Sequence, residues 1–564
     1  MTSEGLGVRL AQRVPAVAWV SAYRRADLVP DVLAGLAVTA LLIPHGMAYA
    51  ELAGVPVVTG LYTTVLALLA YAVFGPSRIL MLGPDSSLAP LIAAAIVLVG
   101  ADGDPTQAVA TAGMLALLTG AICVLAGLTG LGIIADLLSK PVRVGFLNGL
   151  AIVMVVGQLP KLFGFSIPSG TTVQNAVDFV DELVDGATHG TSLVVGVLSL
   201  LTIYGVRRVV PRVPGVLVAV VGATAVVAAS GLADEGVAVV GAVPEGFPSP
   251  TWPRVDAGDL PTLLVSAAGL ALMTLTDTTA LSRGFADRTP GEVDPDREIA
   301  ALGSANLAAG LFQGFPVSAS TTRTTLVDTA GGRTQLVGIV GAAMVLLLVV
   351  VGGGLVENLP SATLAALVIA AGIQLFDLAE MRWLLAVRRS EFLMSLAATV
   401  GVVVLGVLEG VGVAIVLSLL NFLRRVWWPY DAVLGRVEHR TGYHDVERHP
   451  EADRLPGLLI YRFDAPLFFA NAERFARRLR VGIDAEVEPV THVVVSAEPM
   501  TDIDTTGADV LGTVLDELDD AGIQLAFAGL KGPVKDRLAA YGLSARIGKD
   551  NFYSTLDHAI REYS

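Results

Sequence analysis

Residues 31–100 read DVLAGLAVTALLIPHGMAYAELAGVPVVTGLYTTVLALLAYAVFGPSRILMLGPDSSLAPLIAAAIVLVG, and this stretch decides the fold. It predicts an apolar span broken at Pro44, a second that ends at Phe74, and a third that starts at Pro84. A helix that begins at bilayer depth exposes unpaired N–H groups and the positive end of its dipole, which is tolerable only beside a cavity or an anion. Broken helices of this kind indicate the substrate site of a membrane carrier.

The composition is that of a polytopic membrane protein. The 564 residues are 54% hydrophobic and 16% charged, with a mean hydropathy of +0.68, whereas soluble domains carry about 25% charge. The single cysteine, Cys123, excludes an intrachain disulfide. No cleavable signal peptide is visible. A Walker-type nucleotide motif is not visible either, so we expect no ATP-driven step. We also expect no cofactor and no enzymatic activity.

About fourteen transmembrane segments are expected, because a span needs about 20 apolar residues and fewer where its helix is broken. Seven precede the acidic loop 232–260 and seven follow it. The third and the tenth both read as broken helices, which predicts a seven-plus-seven inverted repeat. The predicted span centres are Ala40, Ala67, Ala95, Leu118, Val144, Leu198, Val221, Leu272, Leu307, Thr325, Val345, Leu367, Ala398 and Ile415.

The placement of charges predicts the orientation in the membrane. Basic residues such as Arg78, Lys140 and Arg207 fall in alternate loops, and acidic residues such as Glu182 and Asp234 fall in the others. The positive-inside rule then places the N-terminus in the cytoplasm. An even number of spans places the C-terminal part there too, so we expect a multi-pass protein of the cell (inner) membrane.

The chain changes character after the last apolar span. We predict a cytoplasmic N-terminal segment at 1–30, a transmembrane transport domain at 31–429, and a charged connector at 430–454. From 455 to 564, strand and helix patterns alternate. That alternation predicts βαβ units on a mostly parallel sheet.

Five stretches in order carry a family resemblance: IPHGMAYAELAGVPVVTGLY (43–62), FGPSRILMLGP (74–84), LSKPVRVGFLNGLAIVMVVGQLPKLFG (138–164), REIAALGSANLAAGLFQGFPVSASTTRTTLVDTAGGRTQL (297–336) and IDTTGADVL (503–511). Through them the chain resembles the SulP anion transporters (solute carrier family 26), which carry a C-terminal STAS domain. The resemblance implies core and gate domains, elevator-like alternating access, and a homodimer.

Two helix starts are predicted to form the substrate site, the third span at Pro84 and the tenth near Pro316. Proline suits the first helical turn, hydroxyls cap exposed N–H groups, and each N-terminus presents roughly half a positive charge. The resemblance implies that Ser320, Thr322 and Arg323 line or flank the anion; alternatively, the hydroxyls only cap buried helices. The predicted substrate-binding residues are His45, Tyr49, Asp85, Ser86, Ser87, Ser318, Ser320, Thr321, Thr322 and Arg323.

His45 and Tyr49 are four residues apart and so lie on one helical face. The resemblance implies glutamine at the first of these positions and an aromatic residue at the second. Histidine is thus a departure that could donate to the anion or titrate near neutral pH. The alternative is a neutral histidine hydrogen-bonded beside the proline.

Asp277 is the predicted ion-coupling residue, together with Thr278. A carboxylate inside an apolar span is a functional candidate by default. The resemblance implies coupling to protons or sodium at this position, and burial favours the protonated carboxyl, so we prefer protons. A structural salt bridge to Arg323 is the alternative.

Asp85 stands where many relatives have an apolar or hydroxyl residue. It is predicted first as a helix cap, because a carboxylate there would otherwise repel an anionic substrate. A second proton-linked group is the alternative. In the C-terminal domain, Thr505 and Thr506 are candidate regulatory phosphorylation sites; alternatively they cap a helix together with Asp504.

The predicted function is secondary active transport of a small oxyanion such as sulfate, bicarbonate or a dicarboxylate, by proton-coupled symport. The alternatives are a sodium-coupled bicarbonate symporter, an anion exchanger or channel, and a nucleobase–proton symporter, which the STAS domain argues against. A membrane anion sensor that signals through STAS is an alternative of another class. Expected partners are the anion, a proton or sodium ion, the lipid bilayer and a second copy of the chain, and no nucleic acid.

Overall fold

A computed structural model describes residues 15–130, 139–168, 170–210, 213–244, 246–286 and 294–563. The chain divides into two compact units, Met1–Ser418 and Leu419–Ser564.

The first unit is built of helices, with one pair of two-residue strands. The elements up to the second unit are α1 (Pro15–Ser21), α2 (Leu28–Leu52), α3 (Val57–Phe74), β1 (Leu82–Gly83), α4 (Ala89–Leu98), α5 (Pro105–Thr129), α6 (Lys140–Phe163), α7 (Thr172–Val184), α8 (Gly190–Val209), α9 (Gly215–Ser230), α10 (Leu260–Ala286), α11 (Pro295–Leu311), β2 (Ser318–Ala319), α12 (Thr321–Thr329), α13 (Leu336–Val351), α14 (Gly353–Val356), α15 (Ser361–Leu375), α16 (Leu378–Val387), α17 (Arg389–Leu405) and α18 (Val407–Trp427).

These helices confirm a polytopic helical fold. Each of the fourteen predicted span centres lies inside a helix. Within the part of the chain that the structure describes, eight helices are long and apolar enough to cross a membrane, and three shorter ones are also apolar. The number of fourteen spans and the inverted repeat therefore stay predictions.

Packing sorts the helices of the first unit into two groups. The first group consists of α2, α3, α4, α5, α10, α11, α12 and α13, and the second consists of α6, α8, α9, α15 and α17. The groups meet mainly where α2 packs on α15 and α9. This division joins the first four predicted spans to the eighth to eleventh.

The predicted break at Pro44 is wrong, because α2 runs without interruption from Leu28 to Leu52. Proline removes one helical donor, and neighbouring helices or side chains compensate for this in membrane proteins. The donor that Pro44 lacks would have met the carbonyl of Ala40, whereas the Nδ1 atom of His45 lies 2.7 Å from the next carbonyl oxygen, that of Leu41, and does not replace it. The helix is buried at Pro44, so packing holds it together.

Helices α2 and α3 approach each other through two glycines, Gly46 and Gly60. A Cβ atom built on Gly60 would lie 1.8 Å from the carbonyl oxygen of Gly46, a backbone atom that no rotamer change can move. Small residues at such crossings let helix backbones come close in membranes. The crossing fixes the position of α2, which carries His45 and Tyr49.

We expect Gly60→Ala to destabilise the protein by about 3 kcal/mol or more, because the two backbones must separate. The measurement is the melting temperature of the full chain in detergent. Gly157→Ala is the matched control, since Gly157 is also helical and its Cβ would meet nothing within 4 Å. Equal melting temperatures for the two variants would contradict the close approach.

The second unit contains a six-stranded sheet with the order β4-β3-β5-β6-β7-β8. Strands β5 to β8 run parallel, whereas β3 is antiparallel to β5 and to β4. Apolar clusters cover both faces of the sheet. The elements are β3 (Asp431–Arg436), β4 (Tyr443–Asp445), β5 (Leu458–Phe463), α19 (Ala472–Asp484), β6 (His492–Ser496), α20 (Thr505–Asp520), β7 (Gln524–Ala528), α21 (Gly532–Ala540), α22 (Leu543–Ile547), β8 (Phe552–Tyr553) and α23 (Leu556–Tyr563).

The predicted alternation of strands and helices after residue 455 is confirmed, but the segment 430–454 is more than a connector. It contributes β3 and β4 to the edge of the sheet. These strands are short, and β4 is half-buried with histidine and aspartate in it, so the hydrophobic alternation that marks a strand is weak there. Burial and a hydrogen bond to Asp445 raise the pKa of Tyr430 to about 12, so this tyrosine remains a neutral donor.

Asp431 anchors β3 to α19 through two arginines. Its buried carboxylate accepts a hydrogen bond from Nη2 of Arg474 at 2.6 Å and another from Nε of Arg478. The hydrogen bond to Asp431 raises the pKa of Arg478, which therefore stays charged. Strand β3 is thus stabilised by the ion pairs of Asp431 as well as by its backbone hydrogen bonds to β5.

We expect Asp431→Asn to destabilise the C-terminal domain by about 2 kcal/mol, because two partly buried arginines lose their counter-charge. The readout is the rate of proteolysis of this domain in the full chain over a urea series. Glu517→Gln, which breaks the exposed pair with Arg480, is the control and should cost at most about 0.5 kcal/mol. If Glu517→Gln destabilises the domain more than Asp431→Asn does, the proposed importance of the Asp431 cluster is wrong.

Candidate functional site

A cavity of about 1210 Å³ lies in the first unit, with walls from both helix groups. Most of the predicted site residues meet there, although they come from four separate parts of the sequence. Those that line it are His45, Tyr49, Asp85, Ser86, Ser87, Asp277, Ser320, Thr321, Thr322 and Arg323. Ser318 and Thr278 are fully buried beside it and do not line it.

The two helix breaks face each other as a small antiparallel ladder. Leu82 pairs with Ala319 and Gly83 with Ser318, so β1 and β2 join the segments before α4 and α12. The amide of Ser320 donates to the carbonyl of Met81 at 3.0 Å. The starts of both half-helices therefore belong to one hydrogen-bonded unit.

Both half-helices begin later than the sequence predicted. Helix α4 begins at Ala89, after a turn over residues 86–88, and α12 begins at Thr321 with Ser320 as its N-cap. Pro84 and Pro316 are therefore not first-turn residues. Residues 82–83 and 318–319 are extended because β1 and β2 pair with each other. This long-range contact outweighs the local preference for a helix.

The second break is held by polar side chains of three helices. Asn306 accepts from the amide of Val317 at 2.9 Å and donates to its carbonyl at 3.2 Å. Thr274 also donates to that carbonyl, and Thr63 accepts from the amide of Phe315 at 3.1 Å. Since non-helical backbone at membrane depth must be satisfied within the protein, these bonds fix the entry to α12.

Arg323 is a cation buried at the inner end of the cavity. Only 2% of its surface is exposed. Its Nη2 atom donates to the carbonyl oxygen of Pro84 at 2.8 Å, whereas Nε and Nη1 have no hydrogen-bond partner among the residues described. The alternative salt bridge to Asp277 is not among the contacts of Arg323. Two donors of a charged group thus remain for a ligand.

His45 and Tyr49 form one wall, as predicted from their spacing. Their ring centroids lie 5.5 Å apart on α2, and both rings line the cavity. Because Nδ1 of His45 is engaged by Leu41, the other ring nitrogen is the one left to meet a ligand. This wall faces α12 with an aromatic surface and a polar edge.

Asp277 lies on the cavity wall beside the turn that leads into α4. Its Oδ2 atom is 3.2 Å from the hydroxyl of Ser87. That same hydroxyl is 2.8 Å from Oδ1 of Asp85, which also accepts the amide of Ser87 at 3.0 Å. Asp85 is therefore not the N-cap of α4, because this helix begins at Ala89 with Leu88 as its N-cap and without a side-chain cap. Its carboxylate instead holds the turn before the helix and shares Ser87 with the predicted coupling residue.

Glu298 is a buried carboxylate of the first group, whereas Asp277 is half-buried, and the two differ in their hydrogen-bond partners. Glu298 lies outside the cavity and accepts hydrogen bonds from Tyr71, from Ser77 at 2.7 Å and from Ser282 at 3.5 Å. A carboxylate with three hydroxyl donors is stabilised in place. Asp277 has one hydroxyl partner, Ser87, and shares it with the carboxylate of Asp85.

Three buried hydroxyls near Asp277 have no hydrogen-bond partner in the described part of the chain. They belong to Thr278, Thr279 and Ser318. Thr274, one helical turn before Thr278, bonds to Val317, the residue that precedes Ser318. Helix α10 is therefore joined to the start of β2, and both segments contain buried hydroxyls without a partner.

The far part of the cavity is lined by charges that the sequence analysis used only for orientation. They are Lys140, Arg143 and Arg207, with Asp377 and Glu380. Lys140 pairs with Glu380 at 2.6 Å, and Asn148 accepts the amide of Asp377. The sequence contained one signal for this: Arg143 lies at the start of a long apolar span, and a charged residue in that position could have been predicted to line the cavity.

The opposite end of α6 carries an ion pair between the two helix groups. Nζ of Lys161 lies 3.0 Å from Oε1 of Glu51, the penultimate residue of α2. Lys161 is 18 residues after Arg143, which is about 27 Å along a helix. The pair thus lies at the opposite end of α6 from the cavity-lining Arg143.

In the second unit, the candidate regulatory threonines lie in the first turn of α20. Asp504 caps this helix through the amide of Gly507 and also accepts the amide of Phe469 at 3.0 Å. Thr505 and Thr506 are exposed. The capping role therefore belongs to Asp504, and both hydroxyls are accessible to solvent.

Comparison with known proteins identifies both parts of the chain. The model of the sulfate permease family matches residues 28–398, and that of the STAS domain matches residues 449–559. A probable sulfate transporter of Mycobacterium tuberculosis is 42% identical over 97% of this chain and 98% of its own length. Human solute carrier family 26 member 6 is 31% identical over 85% of this chain and 66% of its own.

A solved structure has the same fold. Murine solute carrier 26 family member A9, an anion transporter, in the inward-facing state, superimposes with a TM-score of 0.89 over 98% of this chain and 94% of its own, at 22% identity. At that identity the likeness concerns the fold, a helical membrane domain followed by a STAS domain.

Proposed function

The chain belongs to the sulfate permease family, a family of transporters rather than enzymes, and on that premise we propose that it is a secondary active transporter of small oxyanions coupled to protons. Sulfate, bicarbonate and a dicarboxylate such as fumarate are the candidate substrates. The observation that carries the proposal is the buried cation at the meeting point of two half-helices.

Arg323 favours an anionic ligand for an electrostatic reason. A guanidinium that is 2% exposed has lost most of its hydration, yet two of its nitrogens have no partner among the described atoms. A bound oxyanion would supply the counter-charge and accept bonds from a planar fork that suits it. The ends of α4 and α12 would add the partial positive charge of their dipoles.

Asp277 supports coupling to protons. It lies on the wall of the same cavity, where an ionised carboxylate would repel the substrate and a protonated one would not. Binding of proton and anion would then favour each other. Net movement of the anion would follow the proton gradient.

Elevator-like transport fits the two helix groups. The cavity reaches Lys140, Arg143 and Arg207, which the positive-inside rule assigns to the cytoplasmic face, while Glu51 and Lys161 join the groups on the other face. We therefore interpret this structure as open to the cytoplasm. Outward movement of the first group against the second would break the Glu51–Lys161 pair.

The test is uptake of labelled sulfate, bicarbonate and fumarate into liposomes that contain the purified full chain, with and without an inward proton gradient. We expect one of the anions to accumulate only with the gradient. Equilibration of all three, whatever the gradient, would overturn proton coupling and leave exchange or a channel. Binding without any flux would instead support an anion sensor that signals through the STAS domain.

Sodium coupling is a second candidate, and a specific observation favours it. The unpaired hydroxyls of Thr278, Thr279 and Ser318 lie near Asp277, and oxygen ligands are what hard cations prefer. A sodium gradient at constant pH, applied in the same liposomes, separates the two ions. Accumulation under that gradient alone would replace the proton by sodium.

The proposal includes a homodimer in the cell (inner) membrane, with the N-terminus and the STAS domain in the cytoplasm. The domains are those proposed from the sequence, namely 1–30, 31–429, 430–454 and 455–564, with the third now contributing strands to the fourth. Phosphorylation of Thr505 or Thr506 would place a charged group in the first turn of α20 and beside Asp504. Mass photometry in detergent tests the dimer, and protease protection in membrane vesicles tests the orientation.

A further inference from the structure

We propose that Asp85 and Asp277 hold one proton between them through the hydroxyl of Ser87, and that this proton must be present for the anion to bind. The inference rests on the proposed function and deepens it, because it assigns the coupling proton to a pair of carboxyls rather than to Asp277 alone. Ser87 is a positioning residue in this arrangement.

The geometry leaves one hydrogen too few when both carboxyls are ionised. The buried Ser87 hydroxyl lies 2.8 Å from Asp85 and 3.2 Å from Asp277, but it has a single proton to donate. With both groups charged, one of these contacts is oxygen against oxygen. With a proton on Asp277, Asp277 donates to Ser87 and Ser87 donates to Asp85, so that each contact contains its own hydrogen.

The charges of the inner cavity lead to the same conclusion. Two ionised carboxylates on the cavity wall would repel an anion near Arg323, whereas one shared proton removes a negative charge and leaves the guanidinium groups of Arg323 and Arg143, together with the helix dipoles, in excess. Only the second state suits an anion. The other titratable groups that line the cavity are His45, Tyr49, Lys140, Arg143, Arg207, Asp377 and Glu380.

The pair also offers a path along which the proton can move. Transfer breaks the O–H bond at Asp277 and forms one at Ser87, while the original Ser87 O–H bond breaks and a new one forms at Asp85. The serine ends as it began, and one carboxyl has exchanged its proton for a charge. No other reactant is needed.

Infrared spectroscopy of the full chain in lipid nanodiscs tests the pair without any anion. Titration should reveal one protonated carboxyl that both Asp85→Asn and Asp277→Asn remove. Asp104→Asn is the control, because Asp104 is an exposed N-cap of α5 and asparagine caps equally well. If Asp85→Asn leaves the signal and its midpoint unchanged, Asp277 holds the proton alone and the shared proton is wrong.

Ser87 gives a second and independent readout. Ser87→Ala should move the titration midpoint to lower pH by about one unit, because the bridge that stabilises the singly protonated pair is lost. Ser87→Thr, which keeps the hydroxyl, should restore the midpoint. An unchanged midpoint in Ser87→Ala would overturn the bridging role.

The same variants separate this inference from the proposed function. Sulfate and fumarate binding to the purified protein should weaken above the midpoint in the wild type and become independent of pH in both Asn variants. Should liposomes show no flux while both Asn variants remove the carboxyl signal, the transport proposal fails and the proton pair stands. Should flux follow the gradient while Asp85→Asn titrates as the wild type does, the pair fails and transport stands.

Discussion

Asp277→Asn will abolish the accumulation of anion that an inward proton gradient drives. With the membrane potential clamped, each coupled proton supports about tenfold accumulation per unit of pH difference, and the variant should fall to a ratio of about one. The reason is structural, since asparagine keeps the shape of Asp277 and its contact with Ser87 but cannot exchange a proton. The measurement is the steady-state ratio of labelled anion inside and outside liposomes.

Exchange of internal for external anion provides the internal control for this variant. Asparagine removes a negative charge from the cavity wall, so exchange at equal pH should persist. Asp104→Asn, in an exposed helix cap, should accumulate anion as the wild type does. Undiminished accumulation in Asp277→Asn would show that the coupling ion binds elsewhere.

Arg323→Gln has the second large effect, and it should eliminate uptake and exchange alike. Loss of a desolvated charge that meets an oxyanion costs about 2–5 kcal/mol, which weakens binding by roughly 30-fold to more than 1,000-fold. Gln also loses the bond from Nη2 to Pro84 that ties the two breaks together. The measurement is the dissociation constant of the transported anion, from calorimetry on the full chain.

Two further variants isolate the role of the guanidinium. Arg323→Lys keeps the charge and loses the planar fork, so intermediate binding is expected. Arg143→Gln removes another cation that lines the same cavity and should slow uptake without eliminating it. If Arg143→Gln has the larger effect on affinity, the anion binds nearer Arg143 than we propose.

Much of the architecture could be predicted from apolar patterning alone. A run of about 20 apolar residues has few alternatives to a helix in lipid, which explains why every predicted span centre, from Ala40 to Ile415, lies in one. The strands of the C-terminal domain were equally clear, because the buried runs at 458–463 and 492–496 alternate with amphipathic helices.

The helix breaks could be placed only approximately, because distant partners decide them. Pro44 lies in a continuous helix since the packing around it holds the helix together, whereas residues 318–319, just after Pro316, are extended because they pair with β1. The sequence next to each proline contains neither the helices that pack around Pro44 nor the strand that pairs with β2. The same holds for Ser87, whose importance depends on Asp277, 190 residues away.

The β1–β2 ladder has a consequence for the energetics of the cycle. Because it ties the starts of α4 and α12 together, the two half-helices that hold the anion would travel as a single body. In the proposed cycle, these ligating atoms would accompany the anion to both faces of the bilayer, whereas Lys140, Arg143 and Arg207 of the second group would stay behind. Such a carrier would not be committed to one direction, and the gradients across the membrane would decide whether a cell imports or exports the anion.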